Sequence, residues 1–326
     1  MNIKDIADMA GVSRATVSRY LNDGYVSAEK KEKIREVIEK TGYMPSTQAQ
    51  MLRTKKTMLI GVIVPKINSD TVSKIVNGIC NVLAAHGYYV FLASADGDPQ
   101  KELEYLNVFM NNRVDGVILL ATVITKKHHS LIQKMSIPVV IVGQEYEFGS
   151  CVFHDDFNAG REIAEKVLEK RSENIAYFGV TPDDIACGVK RRDGAISAVK
   201  KHGIKVGSIY TTICDFTIQS GYERMKAALA EGHQFKGVIC ATDNIAIGAI
   251  KALKEAGYSV PEDVSVTGIG DSSVNDILTP ALTTVRYHYT LSGQEAARMI
   301  LSLIKEESYY TKKLMLGFEV IERESI

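Results

Sequence analysis

From Met58 onward, short apolar runs recur at intervals too wide for hairpins, separated by stretches of helical periodicity. MLIGVIV, YYVFLAS, DGVILLA and PVVIVG come first, and the pattern restarts with ENIAYFGV, KGVICAT and VSVTGIG. Apolar strands that alternate with helices are buried on both faces, which implies parallel sheets covered by helices on either side. Segments 71–86 and 99–112 read as two of those helices. Two successive sets of strands predict two Rossmann-like lobes in an α/β fold. No apolar run approaches the roughly 20 residues a membrane span needs, so no membrane partner is expected. Gly268 and Gly270 lack the third glycine of a dinucleotide fingerprint, and no cofactor is expected.

The first 57 residues have a different texture and a different charge. The 326-residue chain balances 39 Lys/Arg against 39 Asp/Glu, which taken alone argues against a nucleic-acid coat. Residues 1–57 hold 11 basic and 7 acidic residues, leaving 28 and 32 in the rest, so a basic head precedes an acidic body. The start, MNIKDIADMA, carries charges where an export signal needs apolar residues, so a cytoplasmic protein is expected. Its five cysteines are far apart and form no CxxC pair, which reads as buried reduced thiols. His128–His129 lacks a nearby ligand set and reads as a polar loop rather than a metal site.

Within the head, Ile3, Ile6, Ala7 and Ala10 recur at helical spacing behind Asn2, an N-cap residue with Asp5 three positions on. Gly11–Val12 breaks that helix. A second runs from Ser13 to Leu21, with Val17 and Leu21 on one face and Ala15, Ser18 and Arg19 on the other. After the turn Asn22–Asp23–Gly24, a third helix spans Ser27 to Thr41 and turns Ile34, Val37 and Ile38 inward. Two short helices joined by a tight turn and braced by a third make a helix-turn-helix. On the second helix, Arg14 and Arg19 can each donate two hydrogen bonds to a guanine edge, and Ala15 can touch a thymine methyl. Ser13, Thr16 and Ser18 suit phosphate contacts, which position without specifying sequence.

The runs IKDIADMAGVSRATVSRYLN and VSAEKKEKIREVIEKTGYMPS closely resemble the DNA-binding headpiece of the LacI/GalR family of bacterial repressors, and the resemblance extends over essentially the whole chain. It implies a helix-turn-helix headpiece at 1–45 and a hinge helix with linker at 46–57. The body at 58–326 is then a two-lobed, periplasmic-binding-protein-like unit that binds effector and dimerises. Its N-lobe would comprise about 58–155 and 288–315, and its C-lobe about 156–287 and 316–326. Asn22 joins the DNA-contacting set by the same resemblance. Pro45 ends the third helix, Ser46 can cap the short helix after it, and a helix of about seven residues does not hold in water by itself. In the family this segment folds on operator DNA and inserts a leucine into the minor groove. The matching residue is Leu52, with Ala49 beside it and Arg53, Lys55 and Lys56 close to phosphates. Ser46 and Gln50 depart from the asparagine and arginine common there.

Two such lobes bind ligands at the carboxyl ends of their strands, in the cleft between them. Lys66, Asn68 and Ser69 follow the first strand, and Gln144 and Glu145 the fourth. Lys190, Arg191 and Arg192 lie in CGVKRRDGAI, and Asp243 and Asn244 in ATDNIAIG. An arginine and a carboxylate facing one cleft suit a polyhydroxylated ligand. Asp243 can equally be an N-cap. The resemblance assigns effector contact to Arg192, in the run Arg192–Ile196, and to Asp243. HDDFNAGRE and PALTTVRYHYTLSGQEAA match family landmarks at the lobe interface and return crossover. The pattern GVxxxDxxxGxKRR looks like that of trehalose-operon repressors, which recognise a sugar phosphate, and implies a phosphate held by Lys66 with Lys190 or Arg191.

The expected protein is therefore a repressor without catalytic activity. It would bind double-stranded operator DNA at an inverted repeat as a homodimer, with a sugar or sugar phosphate changing its operator affinity. Whether a phosphocarrier-type corepressor protein takes part stays open. No leucine heptads precede the end at IERESI, so a tail-built tetramer is not expected. A sugar-binding protein without gene regulation is the alternative, opposed by the head. An enzyme would need a phosphate-binding loop, a nucleophile elbow or a metal cluster, none of which the sequence displays.

Overall fold

The computed structural model describes residues 1–22, 24–43, 56–305 and 310–326, and the chain divides into two compact units, Met1–Thr57 and Met58–Ile326. The first unit contains α1 (Ile3–Met9), α2 (Arg14–Tyr20) and α3 (Ala28–Thr41). Asn2 accepts hydrogen bonds from the Lys4 and Asp5 amides while the Asp5 carboxylate accepts from the Asn2 amide, a reciprocal capping box. Ser13 caps α2 by accepting from the Thr16 amide at 3.2 Å. Gly42 ends α3 at φ +62°, a left-handed position that suits glycine. The apolar stripes of the three helices meet in a small core of Ile6, Ala7, Ala10, Val17 and Ile34, ringed by Leu21, Val37, Ile38 and Tyr43.

In the second unit, β1 (Leu59–Val64), β2 (Tyr89–Ser94), β3 (Gly116–Leu120), β4 (Val139–Val142) and β5 (Ser150–His154) lie in one parallel sheet with β11 (Lys313–Leu316), in the order β11-β5-β4-β3-β1-β2. Helices α4 (Asp70–Ala85), α5 (Pro99–Asn111) and α6 (Lys126–Ile132) connect these strands. A second parallel sheet, in the order β7-β6-β8-β9, contains β6 (Ile175–Gly179), β7 (Tyr210–Ile213), β8 (Gly237–Cys240) and β9 (Ser265–Thr267). Around it run α7 (Asp156–Lys170), α8 (Arg191–Lys201), α9 (Ile218–Ala230) and α10 (Asp243–Glu255). β10 (Thr284–Tyr287) pairs antiparallel with β12 (Phe318–Ile321), and α11 (Tyr289–Ile304) returns to pack on α4 and on strands of the first sheet. The chain thus passes between the two sheets at 155, at 288 and at Gly317, the single residue between β11 and β12.

Two local readings change. YYVFLAS is a strand but not a buried one: Tyr89, Phe91 and Leu92 are exposed, because β2 is the last strand of its sheet and has a neighbour on one side only. His128 and His129 lie on α6 rather than in a loop. His128 is fully buried with its Nε2 3.2 Å from Glu102 of α5, so it joins two helices where a polar surface was expected. All five cysteines are free thiols.

One close helix contact fixes α7 against α8 beside the second sheet. Gly160 on α7 faces Arg191 at the start of α8, and Gly194 on α8 faces Phe157 on α7. A Cβ at either glycine would overlap the opposing carbonyl oxygen. Only glycine allows these backbones to approach so closely, and the approach brings the first residues of α7 and α8 side by side.

Candidate functional site

The headpiece presents α2 as its polar face. Val17 is buried, whereas Ser13, Arg14, Ala15 and Arg19 are exposed and Thr16 and Ser18 are half-buried. Ser13 Oγ and Thr16 Oγ1 are 2.9 Å apart, so the cap also orders the hydroxyls at the amino end of the helix. Asn22 donates its side-chain amide to the Ser18 carbonyl, which closes the helix and leads into the turn. Guanidinium groups and a methyl group on one exposed helical face are the equipment for reading a major groove. Ala49, Leu52 and Arg53, with most of the hinge segment, lie outside the described residues.

In the body, the carboxyl ends of the strands converge on a buried polar cluster between the two sheets. Its centre is Arg191, the first residue of α8. Its Nε donates to Asp156 Oδ1 at 2.7 Å, its Nη1 donates to the Ala241 carbonyl at 2.7 Å, and its guanidinium lies 5.3 Å from the centre of the Tyr287 ring. Tyr287 Oη donates to the same Asp156 oxygen at 2.9 Å. His154, at the end of β5, stacks on Tyr287 with ring centres 4.4 Å apart and meets the edge of Tyr289 at 5.5 Å. Tyr177 of β6 is buried next to Phe178, whose carbonyl accepts from the amide of the same Ala241 that Arg191 bonds. Burial pushes the His154 imidazole down to about 4, so it is neutral at physiological pH. Burial likewise pushes the Tyr177, Tyr287 and Tyr289 phenols and the Cys187 thiol upward.

Gln144 joins the sheets. Its Nε2 donates to the Thr122 carbonyl at 3.0 Å and to Asp184 Oδ1 at 2.7 Å, and its Oε1 accepts from the Ala186 amide at 3.2 Å. Next to it, Glu145 forms a 2.8 Å ion pair with Lys190, whose ammonium also lies 5.5 Å from the Phe153 ring centre. A cavity of about 440 Å³ opens beside Tyr287 and Tyr289, with Lys74, Gly270, Asp271 and Arg286 also on its walls. That volume is in the range of small-molecule pockets. A larger groove of about 580 Å³ along α7 and α8 is lined mainly by charged side chains and includes none of the residues of this cluster.

The sequence-predicted effector residues divide accordingly. Gln144 and Lys190 reach the interlobe region, Gln144 as a strut and Lys190 as a half-exposed ion pair. Arg192 does not reach it: its exposed guanidinium pairs with the adjacent Asp193, and Arg191 takes the cleft position instead. A six-residue π-helical turn, Ile185–Lys190, leads into α8, and along that helix one residue is a rotation of about 100°, so Arg192 turns away when Arg191 faces inward. Asp243 is buried at the first position of α10, and Thr242, not Asp243, is the N-cap. The Asp243 carboxylate accepts from Thr284 Oγ1 at 2.5 Å, the Ser272 amide at 2.8 Å and Asn275 Nδ2 at 2.9 Å, so it anchors the 268–275 loop rather than facing a ligand. Lys66 and Asn68 are exposed, and Ser69 caps α4 through the Val72 amide. Sequence reasoning misses His154, Asp156, Tyr177, Asp184, Tyr287 and Tyr289. Four of them stand in HDDFNAGRE and PALTTVRYHYTLSGQEAA, runs that the sequence marks as interface landmarks without pointing to a ligand.

The helix-turn-helix unit and the two-sheet body with an interlobe cluster define a class. The model of the bacterial regulatory proteins, lacI family, matches residues 2–46, and that of the periplasmic binding protein-like domain matches residues 164–326. The chain belongs to the LacI family of DNA-binding transcriptional regulators. It is 34% identical over 306 residues to the sucrose operon repressor of Staphylococcus xylosus, covering 94% of each chain. It is also 34% identical over 327 residues to the HTH-type transcriptional regulator RegA of Clostridium saccharobutylicum, covering 99% of this chain and 98% of that one. The fold matches that of the lac repressor dimer bound to operator and the anti-inducer ONPF, with a TM-score of 0.91 at 23% identity over 100% of this chain and 98% of that one.

Proposed function

We propose that the protein is a homodimeric, cytoplasmic repressor of a sugar-utilisation operon, and that a neutral sugar bound in the interlobe cluster changes its affinity for an inverted-repeat operator. The observation that carries this reading is the Arg191–Asp156–Tyr287–His154 cluster, built where the chain crosses between its sheets. A ligand seated there touches both lobes and favours one relative placement of them. The effect on DNA is then a coupling free energy, and operator must alter sugar affinity by the same factor. One α2 helix reads too few base pairs for useful specificity, so two half-sites and a dimer are required. The exposed Tyr89, Phe91 and Leu92 give the N-lobe an apolar surface of the kind a second copy covers.

A neutral ligand is favoured over a sugar phosphate. Lys190 is paired with Glu145 and Arg191 with Asp156, and Lys66 stands exposed after β1. A phosphate entering the cluster would find both cations already neutralised and the carboxylates of Asp156 and Asp184 close by.

Fluorescence anisotropy with a labelled palindrome from the protein's own promoter region tests the reading. Specific binding that weakens steeply with salt, and that shifts when a sugar is added, is expected. Absence of any specific, salt-sensitive binding overturns it. In the hinge segment, Leu52→Ala is expected to weaken specific binding at least about tenfold, through loss of the minor-groove wedge, while leaving calorimetric sugar affinity unchanged in the absence of DNA.

A further inference from the structure

We propose that His154 and Tyr177 select the effector, each offering a buried and otherwise unpaired polar atom to a hydroxyl group of a neutral polyol. The inference rests on the interlobe cluster being the effector site and assigns, within it, the side chains that choose among sugars. His154 is 6% exposed and, among the described residues, its Nε2 has no hydrogen-bond partner; Tyr177 is 4% exposed and its Oη likewise has none. Such atoms are rare in folded proteins, because a buried polar group left unpaired forfeits its bonds to water. These two approach one arginine from different strands: the His154 ring stacks on the Tyr287 that bonds Asp156, and Tyr177 precedes Phe178, whose carbonyl accepts from the amide of Ala241, the residue whose own carbonyl accepts from Arg191.

The charged groups of the cluster are by contrast matched. Arg191 bonds Asp156 and a backbone carbonyl, Asp184 accepts from Gln144 and the Cys187 amide, and Asp243 accepts from three donors. Around Arg191 what remains open is neutral, an imidazole nitrogen and a phenol, while the unpaired Asn275 Oδ1 belongs to the loop that Asp243 anchors. A hydroxyl group both donates and accepts, so it can satisfy either one, and Tyr289, on the wall of the adjoining cavity, offers an aromatic edge or face to the carbon face of a sugar. Recognition of this kind discriminates sharply, since an analogue lacking the hydroxyl leaves the protein atom unpaired again.

The test uses the full chain and three substitutions: Tyr177→Phe, His154→Leu and His154→Gln. Thermal midpoints without sugar are measured first, then calorimetric affinities for sucrose, maltose, cellobiose, glucose and ribose. At least one sugar is expected to bind the wild-type protein. Tyr177→Phe should be as stable as wild type or more so without sugar, since only an unpaired hydroxyl is removed, yet bind that sugar at least about tenfold more weakly. His154→Leu should show a similar loss of affinity and a changed order of preference among the sugars, with His154→Gln recovering part of both. Wild-type affinity in Tyr177→Phe or in His154→Leu overturns the proposal while the effector site stands. A Tyr177→Phe protein that is destabilised and binds normally also overturns it, because the hydroxyl would then serve the fold. Binding of none of the five sugars to the wild type removes the effector reading and this proposal together.

Discussion

The headpiece and the body use the same residue type in opposite ways. Arg14 and Arg19 stand exposed on α2, where water and salt screen them, whereas Arg191 is 6% exposed and locked to Asp156. An exposed cation contributes little to folding and much to contact with a polyanion, through counter-ion release. A buried cation is fixed by its partners and acts through geometry, with no gain from nearby phosphates. The split charge, basic in residues 1–57 and acidic beyond, is the same division at the scale of the chain.

Removing one arginine of each kind puts this contrast under the greatest strain. Arg191→Met leaves Asp156 buried without its cation and is expected to destabilise the body by about 3–5 kcal/mol in urea unfolding. Arg19→Met should change stability by less than about 0.5 kcal/mol, yet weaken operator binding at least about tenfold and flatten its salt dependence. Equal stability losses in the two variants would end the distinction.

A second contrast concerns protons. The buried His154 titrates in the folded protein at about 4, below its ordinary 6.5, because burial disfavours the charged ring and the nearby Arg191 and His288 add to that against Asp156. The unfolded chain therefore takes up the proton first. The contribution is fully present above about pH 6.5 and is lost as pH falls from there toward 4, by on the order of 3 kcal/mol over the whole window. His154→Leu should remove that slope from the urea-unfolding free energy. An unchanged slope in the variant would place the titration elsewhere.

Smaller effects are expected at the helix contact and at the exposed ion pair. Gly160→Ala drives a methyl group into the Arg191 carbonyl and should cost about 1–3 kcal/mol, with sugar affinity falling as α8 is displaced from Asp156. Lys190→Met removes a half-exposed ion pair with Glu145 and should alter stability by less than about 1 kcal/mol. A larger loss would make that pair a principal tie between the lobes, a role the Gln144 strut fills with its two hydrogen bonds to Asp184 and Ala186.

The local structure was legible because local chemistry determines it. Asn2 and Ser13 are the side chains that satisfy the first amides of α1 and α2, and their place just before an apolar-periodic run announces them, whereas Ser69, which caps α4, reads from the sequence only as a polar residue after a strand. The alternation of apolar runs and helices likewise foretold two parallel sheets. The outward face of β2 was not legible, since an apolar run does not say whether a second strand lies beside it. Nor was the anchoring role of Asp243, whose three donors include residues 29 to 41 positions away.

By itself, then, the sequence determined the three headpiece helices and the alternation of apolar strands with helices in the body, the division of charge between a basic head and an acidic body, and that the strand ends would carry polar groups. Tertiary structure decided which of those groups meet. One residue along a helix is a rotation of about 100°, so Arg191 is buried against Asp156 while Arg192, its neighbour, turns to solvent. His154, Tyr177 and Tyr287 come from three strands of the body, and no spacing along the chain brings them to one arginine. Caps and periodicity act over a few residues and can be read from the sequence, whereas a binding site is set by packing across the whole fold.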